Sequence, residues 1–153
     1  MKKPSPSSSE VSQRMRKQAT RHTQVELKIR KNLHALGLRY RLHQRPIHGI
    51  RREADIVFSK CKLAVFVDGC FWHFCPAHGM LPKSNSDWWS EKLLKNRNRD
   101  QETDYQLSNA GWSVVRIWEH EEPAEAAQRI YQLVTHLNHY GRNVSCDWTE
   151  CAR

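Results

Sequence analysis

The stretch VDGCFWHFCPAHG, residues 67 to 79, constrains this chain more than any other. It continues the run LAVFVDG, whose unbroken apolar residues read as a strand central in a sheet. Cys70, Cys75, His73, His78, Asp68 and the aromatic pair Phe71-Trp72 thus emerge together where a buried strand ends. A buried strand does not spend residues in this way, so the stretch is read as a metal site, a catalytic site and a contact surface in parts.

The flanking pattern supplies the scaffold. TQVELKIRKNLHALGL places Val25, Ile29, Leu33 and Leu36 at helical spacing, with Thr23 as N-cap and Gly37 as stop. RYRLHQ, ADIVF and LAVFVDG read as short strands. Asp87 to Asn109 is a long polar helix stopped by Gly111, WSVVRIWEHE is a further strand, and Pro123 opens a last helix carrying Ile130, Val134 and Leu137. This order predicts an α/β fold, a mixed central sheet flanked by helices on both faces. Residues 1–13, rich in Ser, Pro and Lys, read as a flexible arm, 14–137 as the folded domain with a basic segment at 14–22, and 138–153 as an irregular tail.

Charge points to the partner. Lys and Arg exceed Asp and Glu by 25 to 16, a formal +9, which suits a polyanion or an anionic membrane surface. No apolar run approaches the roughly 20 residues of a membrane span, and the N-terminus lacks a hydrophobic segment, so the expectation is a cytoplasmic protein with no membrane association. Five cysteines, an odd number, clustered in part with histidines, favour a metal site over a disulfide frame in a reducing compartment.

Three groups of residues carry chemistry. Cys70, Cys75, His78 and His120 have the types and number of a closed tetrahedral zinc site. Cys146 and Cys151 repeat the same gap and form a competing set. Asp55, at the start of one strand, and Asp68, at the end of the next, fall near one sheet edge, where carboxylates can hold magnesium and phosphate; strand-end acids are also commonly just solvated. Glu26 completes a capping box with Thr23, a cap worth typically ~1 kcal/mol. Asp100 lies on the long helix, where a charge usually marks a solvated face. Adjacent rings point in different directions on a helix, so one member of each of the pairs Phe71-Trp72 and Trp88-Trp89 is expected to stay exposed, available to stack on bases.

With TRHTQVE, ADIVF, GCFWHFCPAHG and WEHE in that order, the chain resembles the very short patch repair (Vsr) endonucleases. The resemblance implies a restriction-endonuclease-like core of the PD-(D/E)XK type and a Mg2+-dependent nick beside a T:G mismatch left by deamination of 5-methylcytosine. It further implies a monomer, nucleoid-associated in the cytoplasm, acting on double-stranded DNA and linked functionally to a cytosine-5 DNA methyltransferase. By resemblance Asp55 is the central magnesium ligand, Val67 offers its backbone carbonyl, and Glu26 lies near the metals. His73 is the candidate base, assisted by Asp68 and Asp100. Phe71, Trp72 and Trp89 enter the duplex from the major groove and Met15 approaches from the minor groove; the charge of the basic segment, apart from the resemblance, assigns salt-dependent nonspecific DNA contacts to Arg16, Lys17 and Arg21. Ala54 stands where the superfamily often has proline, and Asp68-Gly69-Cys70 lacks the usual lysine.

Overall fold

The Thr23 hydroxyl starts helix α1 (Gln24–Ala35) by accepting the Glu26 amide at 3.3 Å. The other half of the capping box differs from expectation: Glu26 Oε2 accepts from the His22 amide at 2.8 Å, one residue before the cap. At the far end Gly37 takes φ +78°, which lets Leu38 N–H close back on Leu33 O at 3.0 Å. The computed structural model describes residues 21–140 together with positions 9, 10 and 13. Met15, Arg16, Lys17, Cys146 and Cys151 lie outside the described residues.

Four strands follow the chain in space as β1-β2-β3-β4: Arg41–Gln44, Ala54–Phe58, Leu63–Asp68 and Ser113–Trp118. The first two pairings are antiparallel, and β3 pairs β4 in parallel, so a long crossover is required. Helix α2 (Ser86–Asn109) supplies it, and α3 (Pro123–Tyr140) closes the domain. The sheet is mixed, as expected.

Burial on both sheet faces explains the apolar runs of β2 and β3. Ile56, Leu63, Val65 and Ile117 pack with Ile29 and Leu33 of α1 and Ile130 and Val134 of α3. Ala54, Val57, Ala64 and Phe66 meet Leu107 of α2 on the other face. Each fully buried Ile or Leu stabilises the fold by about 1.5–3 kcal/mol relative to exposure. One boundary is corrected: α3 runs through Asn138 to Tyr140, past the expected tail start. Leu137 packs on the core, and the helix it belongs to continues for three residues more.

The register brings the start of β2 beside the end of β3, because Ile56 pairs Val65 and the two strands run opposite ways. Parallel pairing of Asp68 with Trp118 then sets the residues after β3 beside those after β4. One end of the sheet therefore collects Asp55, Asp68 and the segments beginning at Gly69 and Glu119.

Candidate active site and metal centre

Asp55 and Asp68 share that sheet end. Asp55 Oδ2 accepts the Val67 amide at 2.7 Å across the β2-β3 pair. Burial, reinforced by the charges of Glu26 and Asp68 and only partly offset by the Val67 amide, raises the Asp55 pKa to about 6. Two strand-end carboxylates with Glu26 close by are the oxygen donors a divalent ion such as magnesium would take. Buried Glu26 projects from α1 toward the same place, with the His43 ring lying between: Nε2 is 3.3 Å from Glu26 Oε1, and Nδ1 is 3.9 Å from Asp55 Oδ1.

His73 approaches from the turn after β3, its amide bonded to Gly69 O at 3.1 Å. Its Nδ1 lies 2.5 Å from Asp100 Oδ2 and 3.6 Å from Asp68 Oδ1. Burial alone would lower the His73 pKa; the Asp100 hydrogen bond and the charges of Asp68 and Asp100 outweigh it and raise the value. Asp100 is thus held against the site, and the solvated reading of its helix face does not apply to it. Asn96, one turn earlier on α2, donates to Trp72 O at 3.0 Å and anchors the same turn.

Arg116 was not singled out from sequence. It sits on β4, where Nη1 donates to Asp68 Oδ2 at 2.8 Å and Nη2 to Asp104 Oδ1 at 2.8 Å. Nη2 also donates to the Asp100 carbonyl at 3.3 Å, and the guanidinium lies 4.7 Å from the Phe66 ring centroid. The available signal is an arginine between the apolar residues of the strand SVVRIW, a half-buried position where a charge calls for a carboxylate partner. Arg52 was missed as well. Burial first, then the nearby charge of Arg99, lowers its pKa, and both arginines act electrostatically at Asp100 or beside it.

Cys70, Cys75, His78 and His120 come together with one ligand atom from each within 4.8 Å of the rest. Cys70 Sγ is 3.0 Å from His120 Nδ1, and Cys75 Sγ is 3.7 Å from His120 Nδ1 and 3.9 Å from His78 Nδ1. Tetrahedral bonds of about 2.0–2.3 Å put ligand atoms roughly 3.3–3.8 Å apart, a range that the observed 3.0–3.9 Å separations straddle, so small side-chain shifts would close the site on such a metal. Burial and the neighbouring Cys75 push the Cys70 thiol up to about 11, which keeps it protonated unless a cation takes the proton's place. The loop is tightly closed: Gly79 N–H reaches Cys75 O at 2.6 Å, and a Cβ at Gly79 would itself fall 2.6 Å from that oxygen.

The aromatic residues differ from expectation in exposure. Phe71, Trp72, Trp88 and Trp89 are all half-buried, because they cover one another. Phe71 meets Trp72 and Trp89 edge-on at 5.2 Å each, and Trp88 meets Trp89 at 4.9 Å. Arg21 is exposed and paired with Glu53.

The family profile described as DNA mismatch endonuclease Vsr matches residues 7–77. The type II nicking enzyme V.NaeI of Lentzea aerocolonigenes is 42% identical over 138 residues, 89% of this chain and 83% of that protein. The type II nicking enzyme V.XorIIP of Xanthomonas oryzae pv. oryzae is 41% identical over 108 residues, 70% of this chain and 77% of that one. The DNA mismatch endonuclease Vsr of Escherichia coli K12 is 32% identical over 109 residues, 71% of this chain and 68% of that one. These matches make the chain a DNA endonuclease. It belongs to the Vsr family. Among the described residues no helix is long and apolar enough to cross a membrane.

Proposed function

We propose that the protein is a strand-specific mismatch endonuclease that nicks double-stranded DNA beside T:G pairs arising from 5-methylcytosine deamination. The observation that carries the reading is His73 fixed by Asp100 at the sheet end where Asp55, Asp68 and Glu26 converge. A DNA-binding module without catalysis gains nothing by gathering acids near phosphates, and a restriction-type double-strand cut is less in keeping with relatives named as nicking enzymes.

Magnesium, when held by Asp55 and the Val67 carbonyl, supplies positive charge to the phosphate and acidifies a water. The chain's own groups do the rest. With its Nδ1–H donated to Asp100, the His73 imidazole presents Nε2 as the base that takes a proton from water. Asp68, bonded to Arg116, stands 3.6 Å from that imidazole, where its carboxylate would stabilise the ring once protonated. Zinc on Cys70, Cys75, His78 and His120 is structural, since four protein ligands leave no open position. The core is restriction-endonuclease-like and acts as a monomer in the cytoplasm, at the nucleoid, alongside a cytosine-5 methyltransferase. Phe71, Trp72 and Trp89 wedge the duplex at the mismatch, with Met15, Arg16, Lys17 and Arg21 gripping the backbone and minor groove.

The test uses end-labelled duplexes carrying T:G, U:G or C:G in several contexts, with and without magnesium. Nicking of the T strand alone, only with magnesium and only at T:G, is expected. Equal cutting of C:G duplex would remove the mismatch reading.

A further inference from the structure

His22, Glu26 and His43 bring two imidazoles and a carboxylate together, one ligand atom from each lying within 4.8 Å of the others. His22 and His43 share no residue with the cysteine-histidine quartet, and neither has a part in the function proposed above. The backbone is shaped to produce the cluster. His22 and His43 both adopt the left-handed conformation, at φ 54° and 49°, and their rings meet edge-on at 4.9 Å. Such backbone in non-glycine residues gathers at functional sites, where the surroundings hold it in place.

The partners are nearly complete on every side but one. Glu26 is buried, and its Oε2 is fixed by the His22 amide at 2.8 Å. The His43 Nε2 atom is buried, stands 3.3 Å from Glu26 Oε1 and makes no hydrogen bond. Its Nδ1 lies 3.9 Å from Asp55 Oδ1, beyond hydrogen-bond distance but on the side from which a carboxylate can orient a metal-binding imidazole. A cation already occupies the cluster: Arg30 Nη1 is 2.9 Å from His22 Nδ1 and 3.4 Å from Glu26 Oε1. The Arg30 side chain is 22% exposed, so it has a path out to solvent.

We propose that His22, Glu26 and His43 bind a divalent transition-metal ion in exchange for the Arg30 guanidinium. Two imidazoles with one carboxylate suit nickel, zinc or cobalt, whereas magnesium prefers an all-oxygen shell. Three protein ligands leave a coordination position open. Through His43 the ion is one residue removed from Asp55, so its occupancy is felt at the candidate active site. The binding step does not depend on the nuclease reading, and it is measured without DNA.

The experiment is calorimetric titration of Ni2+ into the full chain already loaded with zinc, with zinc content measured before and after. One Ni2+ per chain with the zinc retained is expected. His22→Ala and His43→Ala should each weaken it by more than the about 10–100-fold typical of losing an outer-shell partner, because each removes a ligand. Arg30→Gln should tighten it severalfold, because it removes the competing cation and no ligand. No Ni2+ binding, or binding unchanged by both histidine substitutions, overturns the proposal. If circular dichroism shows that either alanine variant has lost its fold, Arg30→Gln decides: unaltered Ni2+ affinity overturns the exchange, and tighter binding supports it.

Discussion

His73 Nδ1 stands 2.5 Å from Asp100 Oδ2, a single hydrogen bond that ties the turn after β3 to the middle of α2. It fixes which ring nitrogen holds the proton and leaves Nε2 free to accept one. Asp100→Asn keeps the shape and removes the charge, so it should lower the nicking rate by about 10²–10⁴-fold, the share general-base catalysis typically supplies. Affinity for duplex should hardly change. Single-turnover rates beside equilibrium binding check this, and an unaltered rate would show that His73 does not act through Asp100.

Arg116 is the counter-charge to Asp68 and Asp104. Arg116→Met leaves buried Asp68 unneutralised, while Asp104 is partly exposed and screened by solvent; loss of one partner of a buried pair typically costs about 3–5 kcal/mol. Adding Asp104→Asn to Arg116→Met should recover part of the loss. Urea unfolding of both variants decides, and a single substitution without effect on the midpoint would reduce the cluster to surface charge.

The Asp55 pKa, raised to about 6, makes a signed statement about pH. The folded chain holds this proton more tightly than the unfolded chain, whose carboxyl titrates near 3.8. Stability from this group is therefore fully present below that value and is lost as pH rises through about 6. In magnesium-free buffer Asp55→Asn should accordingly be more stable than the parent at about pH 7.5 and no more stable below about pH 4. Magnesium should restore the parent at the higher pH by binding the folded state. Melting curves at both pH values test the sign, and the opposite order would contradict the burial argument.

Zinc should be present at about one per chain and needed for the fold. Cys70→Ser should lose it. Gly79→Ala should weaken it without touching a ligand, since the new Cβ is driven to 2.6 Å from Cys75 O. Elemental analysis with thermal melting reads both. Zinc loss on Cys146→Ser/Cys151→Ser instead would assign the metal to the tail.

Much of this arrangement is legible in the amino-acid sequence, for identifiable reasons. The period of Val25, Ile29 and Leu33 announces α1, and the unbroken apolar run before Asp68 announces a strand covered on both faces. The gathering of Cys70, Cys75 and His78 is local in sequence, so spacing exposes it; His120 joins only through the parallel β3-β4 pairing. What stayed hidden depends on contacts between distant elements. Arg116 meets Asp68 from 48 residues away, and His43 meets Glu26 across a strand and a helix. The mutual packing of four aromatic side chains was also invisible, because neighbour rules describe one helix and the loop and α2 build this cluster jointly.

The central claim is that the acids at the sheet end cut DNA while other residues bind it, and Asp55→Ala separates the two most directly. On a labelled T:G duplex in magnesium, the variant should bind about as well as the parent, having shed a negative charge near phosphates, and should leave the T strand uncut. A folded Asp55→Ala protein that nicks at the parental rate would contradict the account.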